Sequence, residues 1–136
     1  MGQPRTILLV EDNPTDVFVI REVVEGCGLK LNLVVSRNGQ EALEYLRRAA
    51  SDVKTERPAL VLLDLNLPRI SGIDVLREMR DSPRYRRTPV IIVSSSTAPA
   101  DRAAVEKLGV AGYFQKTAEL SAYAELGALV KRALRK

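Results

Sequence analysis

Short runs of apolar residues alternate with longer amphipathic segments along this chain. Residues 7–10, 60–63 and 90–93 are continuously apolar, which is typical of parallel strands that are covered on both faces. Apolar and polar positions alternate over residues 31–35, which is the pattern of a half-exposed edge strand. A short fifth strand that ends at Lys116 is predicted from Tyr113 and Phe114. The chain therefore carries five candidate strands.

A helical pattern follows each of these strands. Asn13 suits an N-cap and Pro14 a first helical position, so they predict a helix through Phe18 and Val24 that ends at Gly26 or Gly28. The other four helices are predicted after Asn38-Gly39, after Gly72, from Pro99 to a C-cap at Gly109, and from an N-cap at Thr117 onward. Residues 50–57 are predicted to form a polar connection. Strands that alternate with helices predict right-handed crossovers and a three-layer α/β/α sandwich around a parallel sheet.

Length and composition are those of one soluble domain. We expect residues 1–136 to form a single domain, since 46% hydrophobic content is enough for a conventional core. The apolar runs are too short to span a bilayer, and the first residues lack the apolar segment of a signal peptide, so a cytoplasmic protein is expected. The single cysteine, Cys27, is predicted to be a small buried hydrophobe.

The net charge is +4, and arginines cluster in the middle of the chain. A basic cluster could attract an acidic partner or nucleic acid. However, no pattern of a recognition helix or of stacking aromatic residues accompanies it, so a solvated surface is the favoured interpretation. We expect neither nucleic acid nor a membrane among the partners. The clustered residues are Arg77, Arg80, Arg84, Arg86 and Arg87.

Chemically active side chains follow the predicted strands. Parallel strands bring their carboxyl ends to one edge of the sheet, where open α/β proteins bind ligands. Three carboxylates at one edge repel one another unless a cation binds. The sequence contains no histidine, so oxygen ligands and Mg²⁺ are favoured. With a metal, an amine and a hydroxyl around one nucleophilic carboxylate, the edge predicts an aspartyl-phosphate site. The residues at this edge are Glu11, Asp12, Asp64, Ser94 and Lys116.

Motifs along nearly the whole chain carry a family resemblance. They are Leu-Val-Glu-Asp-Asn-Pro at 9–14, Asn-Gly-Gln-Glu-Ala-Leu at 38–43, Asp-Leu-Asn-Leu-Pro at 64–68 with Gly72, Pro-Val-Ile-Ile-Val-Ser at 89–94 and Gly-Tyr-Phe-Gln-Lys at 112–116. In these motifs the chain resembles the receiver domains of two-component response regulators, the class that contains the chemotaxis protein CheY. The resemblance implies a flavodoxin-like fold with strand order 2-1-3-4-5.

The resemblance also implies a role for each residue of the predicted site. Asp64 would accept the phosphoryl group, and Asp12, Asp64 and the backbone carbonyl of Asn66 would hold Mg²⁺. Glu11 stands where an aspartate is common in the family and would reach the metal through water. Such a protein catalyses only its own phosphorylation and dephosphorylation, so we do not expect an enzyme that turns over other substrates.

Three further roles follow from the same resemblance. Lys116 would pair with one phosphoryl oxygen and Ser94 would donate a hydrogen bond to another. Tyr113 would swing inward when Ser94 moves toward the phosphate. The chain departs from the family at Thr117, where proline is usual and often follows a cis bond. A cis bond before threonine would cost about 3 to 4 kcal/mol, so a different loop around Lys116 is expected.

The expected partner is a sensor histidine kinase. The connection at 50–57 and the Asp-Ser-Pro segment after the third helix look like small regulators that pair with phytochrome-type kinases. The output is predicted to be a change of partner, or a homodimer through the fourth helix, fifth strand and last helix. Charges introduced at Leu126 and Val130 are expected to abolish this output without unfolding the domain. This surface is predicted because apolar residues wrap more than one face of the last helix, at Tyr123, Leu126, Leu129, Val130, Ala133 and Leu134.

Two other functions fit parts of the sequence. A phosphatase of the haloacid dehalogenase class also forms an aspartyl phosphate after a parallel strand, but it needs a second aspartate where this chain has Asn66. A flavodoxin-type binding module would need a phosphate-binding loop after the first strand. There, Glu11 and Asp12 would repel a phosphate unless a metal intervened.

Overall fold

Strands and helices alternate throughout the computed structural model, which describes residues 4–135. The strands are β1 (Arg5–Val10), β2 (Leu31–Ser36), β3 (Leu60–Leu63), β4 (Val90–Ser94) and β5 (Gly112–Gln115). The α-helices are α1 (Pro14–Glu25), α2 (Gly39–Ser51), α3 (Gly72–Asp81), α4 (Pro99–Lys107) and α5 (Ala124–Leu134). A 3₁₀ turn at Leu120–Tyr123 precedes α5. This alternation confirms the predicted α/β class.

The strands form one parallel sheet in the order β2-β1-β3-β4-β5. The predicted flavodoxin-like order is therefore confirmed. Val10 pairs with Leu63, so β1 and β3 end at the same level. The chain places β2 on one side of β1 and β3 on the other, so the strand order reverses between β1 and β3. The crevice at the carboxyl ends of such strands is where α/β proteins bind ligands.

Two apolar layers cover the faces of the sheet. The strands β1, β3 and β4 are buried because their side chains point alternately into both layers. Residues of α2, α3 and α4 pack on one face, with Leu46, Leu76 and Val105 among them. Residues of α1 and α5, including Ile20 and Leu126, pack on the other. Edge strand β2 is only partly buried, as its alternating pattern predicts.

Side-chain caps mark the starts of the first two helices. The Asn13 side chain accepts a hydrogen bond from the Asp16 amide, which confirms the predicted N-cap. The Asn38 side chain, predicted only to lie in a turn, caps α2 by accepting from the Glu41 amide. The predicted connection at 50–57 is wrong at its start, because α2 continues through Ser51. A helical pattern can extend over polar residues when its inner face still packs, and Ala49 in this last turn is buried.

The segment before the last helix also differs from the prediction. Thr117 does not cap α5, which begins at Ala124. Its Oγ1 instead accepts a hydrogen bond from the Glu119 amide at 3.2 Å, which is a local turn. Leu120 lies in the following 3₁₀ turn and is exposed. Residues 4–135 contain no cis peptide bond, so Lys116 and Thr117 are joined by a trans bond.

The apolar face of α5 is covered, which changes the predicted output surface. Leu126 and Val130 are fully buried in the layer that α1 and α5 form. The expectation that both take charges without unfolding is wrong, because a charge there would be buried without a partner. The prediction that Cys27 is buried is confirmed, whereas Phe18 on α1 is 63% exposed. No helix in the described part of the chain is long and apolar enough to cross a membrane.

Candidate functional site

Backbone hydrogen bonds between neighbouring strand ends hold the candidate site in place. The Glu11 amide donates to the Ser36 carbonyl at 3.0 Å, and the Asp64 amide donates to the Val10 carbonyl at 3.1 Å. The Lys116 amide donates to the Ser94 carbonyl at 2.9 Å. The side chains that follow β1, β3 and β5 are therefore fixed by the sheet itself. The structure brings them together as the strand order predicts.

Three carboxylates meet at this edge. One carboxylate oxygen from each of Glu11, Asp12 and Asp64 lies within 4.8 Å of the other two. Glu11 and Asp64 are buried, whereas Asp12 is exposed at the mouth of the crevice. Hard oxygen donors at this spacing suit a divalent cation such as Mg²⁺, which keeps several waters and takes carboxylate ligands.

The ammonium group of Lys116 is shared by three acids. Its Nζ lies 2.8 Å from Asp16 Oδ2, 2.9 Å from Glu11 Oε1 and 3.0 Å from Asp64 Oδ2. Burial by itself lowers the pKa of Lys116, but the contacts with Asp16 and Glu11 and the charges of Glu11 and Asp64 outweigh it and raise the pKa above its usual value. Lys116 is therefore a fixed positive charge beside Asp64.

Glu11 is the least solvated acid of the group. Burial raises its pKa to about 7, the contact with Lys116 opposes that rise, and the charge of Asp64 adds to it. Its Oε1 is fully buried and accepts no aligned hydrogen bond from the described residues, although Lys116 Nζ is 2.9 Å away. A buried, incompletely satisfied carboxylate oxygen next to two other acids fits a bound cation.

The turn after β3 fixes the carboxylate of Asp64. Its Oδ2 faces Lys116, and its Oδ1 accepts a hydrogen bond from the Asn66 amide at 3.1 Å. Helix α3 begins at Gly72, whose amide donates to the Leu65 carbonyl at 3.1 Å. A Cβ at Gly72 would collide with the backbone carbonyl of Asp64, so glycine is required for this close approach.

Ser94 and Tyr113 occupy the side of the crevice next to α4. Ser94 is fully buried, and its Oγ accepts hydrogen bonds from the Ser96 amide at 3.2 Å and from Asn66 Nδ2 at 3.4 Å. The half-buried Tyr113 donates through its hydroxyl to the Ser96 carbonyl at 3.0 Å. The Arg102 guanidinium lies 4.2 Å from the centre of the Tyr113 ring. The loop after β4 therefore links both residues.

Sequence reasoning missed part of this arrangement. Asp16 contacts Lys116 directly. From the sequence, an acid in the first turn of a helix is expected only to stabilise that helix by interacting with its dipole. Ser96 donates from its hydroxyl to Asp101 Oδ2 at 2.7 Å and so ties the loop to α4. In the sequence it is one of several hydroxyl residues after β4. The sequence signal that could have placed Asp16 at the crevice is its position three residues after the cap at Asn13.

The fold and this site together define a class of protein. Residues 7–126 match the family described as the response regulator receiver domain. The chain therefore belongs to the receiver domain family of two-component response regulators.

Its relatives include regulators linked to photoreceptors. Response regulator Rcp1 of Synechocystis sp. is 35% identical over 117 residues, which are 86% of this chain and 80% of Rcp1. The crystal structure of the phosphorylated cyanobacterial phytochrome response regulator RcpA is 35% identical with a TM-score of 0.85, covering 96% of this chain and 93% of RcpA. The Mn(2+)-bound form of Rcp1 is 32% identical with a TM-score of 0.84, covering 94% of this chain and 92% of that one.

Proposed function

We propose that this protein is a response regulator in which Asp64 accepts a phosphoryl group from a sensor histidine kinase. The observation that carries this proposal is the pairing of Asp64 Oδ2 with Lys116 Nζ at 3.0 Å, at the end of a buried strand and within an acidic group. A carboxylate beside a fixed cation can take a phosphoryl group because the cation offsets the charge of the transferring oxygens.

The proposed cofactor is Mg²⁺. Asp12, Asp64 and the backbone carbonyl of Asn66 would hold the ion, and Glu11 would reach it through water. This assignment is supported by the close oxygens of Glu11, Asp12 and Asp64 and by the buried Oε1 of Glu11. When bound, the ion supplies positive charge at the phosphoryl oxygens.

The remaining chemistry belongs to side chains of this chain. An Asp64 carboxylate oxygen forms the new bond to phosphorus as the phosphorus–nitrogen bond of the kinase's phosphohistidine breaks, and the histidine leaves with the bonding electrons. Lys116 stabilises one phosphoryl oxygen, and the Ser94 hydroxyl donates to another. The phosphoryl group passes from the kinase to the regulator itself, and hydrolysis of the acyl phosphate releases inorganic phosphate and returns Asp64. The protein is thus a signalling receiver rather than an enzyme with an external substrate.

The proposed output is a rearrangement beside α4 that changes contacts with a partner or a second copy. Movement of Ser94 toward the phosphate would pull on the loop whose Ser96 carbonyl holds Tyr113. Tyr113 would then turn inward and leave Arg102. The affected surface comprises α4, β5 and the outer side of α5. Leu126 and Val130 on the inner side of α5 are buried, so they cannot contact a partner. A phytochrome-type kinase is the proposed partner, because RcpA is a phytochrome response regulator.

Intact-mass measurement after incubation with acetyl phosphate tests the proposal. We expect the wild type to gain the mass of one phosphoryl group in the presence of Mg²⁺, and to gain none when EDTA removes the metal. Asp64→Asn should abolish the adduct. Asp12→Ala should weaken Mg²⁺ binding in calorimetry by at least about tenfold, because it removes one of the three carboxylates near the ion.

Matched controls make the result specific. Asp74→Asn changes an exposed acid that pairs with Arg77 at 3.6 Å, so adduct formation should be unaffected. With beryllofluoride in place of the phosphoryl group, light scattering should record a changed affinity for a second copy or for the kinase. An undiminished adduct in Asp64→Asn would disprove the assignment of the phosphoacceptor.

A further inference from the structure

Asp16 makes the shortest contact that Lys116 Nζ forms in the site. The 2.8 Å hydrogen bond joins residues that are 100 positions apart in the sequence. The side chains of Lys116 and Asp16 are 12% and 27% exposed, so the pair is partly shielded from water. An ion pair in this setting restrains both side chains more than a pair at the open surface does.

The start of α1 aims Asp16 into the crevice. Pro14 opens the helix, and Asn13 caps it by accepting a hydrogen bond from the Asp16 amide at 3.0 Å. The Glu11 side chain in turn accepts from the Asn13 amide at 3.2 Å. The segment from Glu11 to Asp16 is therefore a connected turn, and its geometry places a fourth acid next to the three carboxylates of the cation site.

Asp16 differs from the other two acids that contact Lys116. Glu11 and Asp64 belong to the group of carboxylates whose oxygens lie within 4.8 Å of one another, and Asp16 does not. A cation held by that group would compete with Lys116 for the oxygens of Glu11 and Asp64. Asp16 would keep its oxygens for the ammonium. The lysine therefore retains one anionic partner in either state.

We propose that Asp16 is a positioning residue that holds the Lys116 ammonium beside Asp64 while Glu11 and Asp64 turn toward a divalent cation. The inference rests on the proposed function, since it assigns Asp16 to the same phosphoryl-transfer site. Asp16 does not touch the reacting atoms. It acts through Lys116, whose misplacement would leave one phosphoryl oxygen without its cation in the transition state.

The kinetic test compares Asp16→Asn, Asp16→Glu and the control Asp74→Asn. We expect Asp16→Asn to lower the maximal rate of adduct formation with acetyl phosphate about tenfold, because small misplacements of a charged group cost rate rather than ground-state binding. The donor concentration for half-maximal rate and the calorimetric Kd for Mg²⁺ should each change by less than about twofold. Asp16→Glu should recover most of the rate, since a longer carboxylate can still reach the lysine. Asp74 also lies in the first turn of its helix and should show no effect.

A second readout does not depend on phosphorylation. Brief acylation with acetic anhydride, followed by peptide mass spectrometry, measures how freely each lysine amine reacts. We expect Lys116 to react at least about threefold faster in Asp16→Asn than in the wild type, with and without Mg²⁺, because loss of an ion-pair partner exposes the amine. Lys107, which is exposed at the end of α4, serves as the internal standard.

Several outcomes would overturn the inference. An unchanged rate together with unchanged acylation would mean that the contact does not position the lysine. A faster adduct would mean that Asp16 restrains Lys116 rather than presenting it, and a tenfold weaker Kd for Mg²⁺ would make Asp16 a metal ligand. If the wild type itself forms no adduct, the proposed function fails, and the acylation comparison still decides whether Asp16 holds Lys116.

Discussion

Positive charge is used differently at the two ends of the sheet. At the carboxyl ends of the strands, one ammonium, Lys116, is shared by three carboxylates. At the amino ends, Arg80 donates to the backbone carbonyls of four residues in the segments that precede β4 and β5. These acceptors are Tyr85 at 3.2 Å, Thr88 at 3.0 Å, Leu108 at 2.6 Å and Gly109 at 3.3 Å.

This contrast shows why the carboxyl end of the sheet is suited to chemistry. The donors of Arg80 are occupied by neutral carbonyls, so this guanidinium ties loops together and has little capacity left for a ligand. The acids around Lys116 outnumber the single cation that they share, so the carboxyl edge keeps unbalanced negative charge. Unbalanced, partly desolvated negative charge favours a bound cation, which can in turn offset the charge of a phosphoryl group.

Removal of the Lys116 ammonium should have the largest effect of any change to a cationic side chain at either end of the sheet. We expect Lys116→Met to lower the rate of adduct formation on Asp64 by about 10²- to 10³-fold, because one donor to the charged transition state is lost. Time-resolved intact mass measures this rate, and circular dichroism verifies that the variant is folded. The matched control is Lys107→Met at the opposite end of the sheet, which should leave the rate unchanged. A drop of less than about tenfold would show that Lys116 is not the main cation of the site.

The equivalent change at the amino edge should affect stability instead. Arg80→Met removes a hydrogen-bond donor from four carbonyls, of which only that of Tyr85 keeps another partner among the described residues, the Thr88 amide at 3.0 Å. The free energy of unfolding should therefore fall by about 2 to 4 kcal/mol. Urea denaturation measures this loss, while the rate of adduct formation per folded molecule should stay within about twofold of the wild type. Arg77→Met, which removes an exposed arginine, should change stability by less than about 0.5 kcal/mol. The contrast between the two ends fails if Arg80→Met slows phosphorylation as strongly as Lys116→Met.

The pH dependence of stability should report the burial of Glu11 at the carboxyl edge of the sheet. Burial raises the pKa of Glu11 from 4.5 to about 7, so the folded protein holds this proton more tightly than the unfolded chain does. The stability that protonation contributes is complete below pH 4.5 and is lost as the pH rises through about 7. Between these values, the metal-free wild type should lose roughly 2 to 3 kcal/mol more stability than Glu11→Gln. Urea denaturation in EDTA checks this, and identical pH profiles for the two proteins would contradict the raised pKa.

Much of the fold and of the site could be predicted from local sequence patterns. Continuous apolar runs predicted the buried strands, and the cap at Asn13 and the turn at Asn38-Gly39 predicted helix starts, because these signals depend on neighbours within a few residues. The parallel sheet then requires that acids following the strands share one edge. For this reason Glu11, Asp12 and Asp64 could be grouped before their distances were known.

Helix ends and burial were harder to predict. The extension of α2 to Ser51 and the late start of α5 at Ala124 depend on packing against the sheet rather than on a local signal. The same applies to α5, whose sequence offers several apolar faces. Tertiary packing decided that Leu126 and Val130 point into the core. Periodicity gives the faces of a helix but does not determine how much of each face a neighbouring helix covers.

The amino-acid sequence by itself determined the α/β alternation, the acidic edge and the membership of the receiver family. Tertiary structure alone decided which side chains complete the site: Asp16 on Lys116, and Arg102 on the Tyr113 ring. The physical reason is that caps and periodicity act over one or two turns of chain. The Asp16–Lys116 contact, in contrast, forms only when the first helix and the end of the last strand are brought together by the folded sheet.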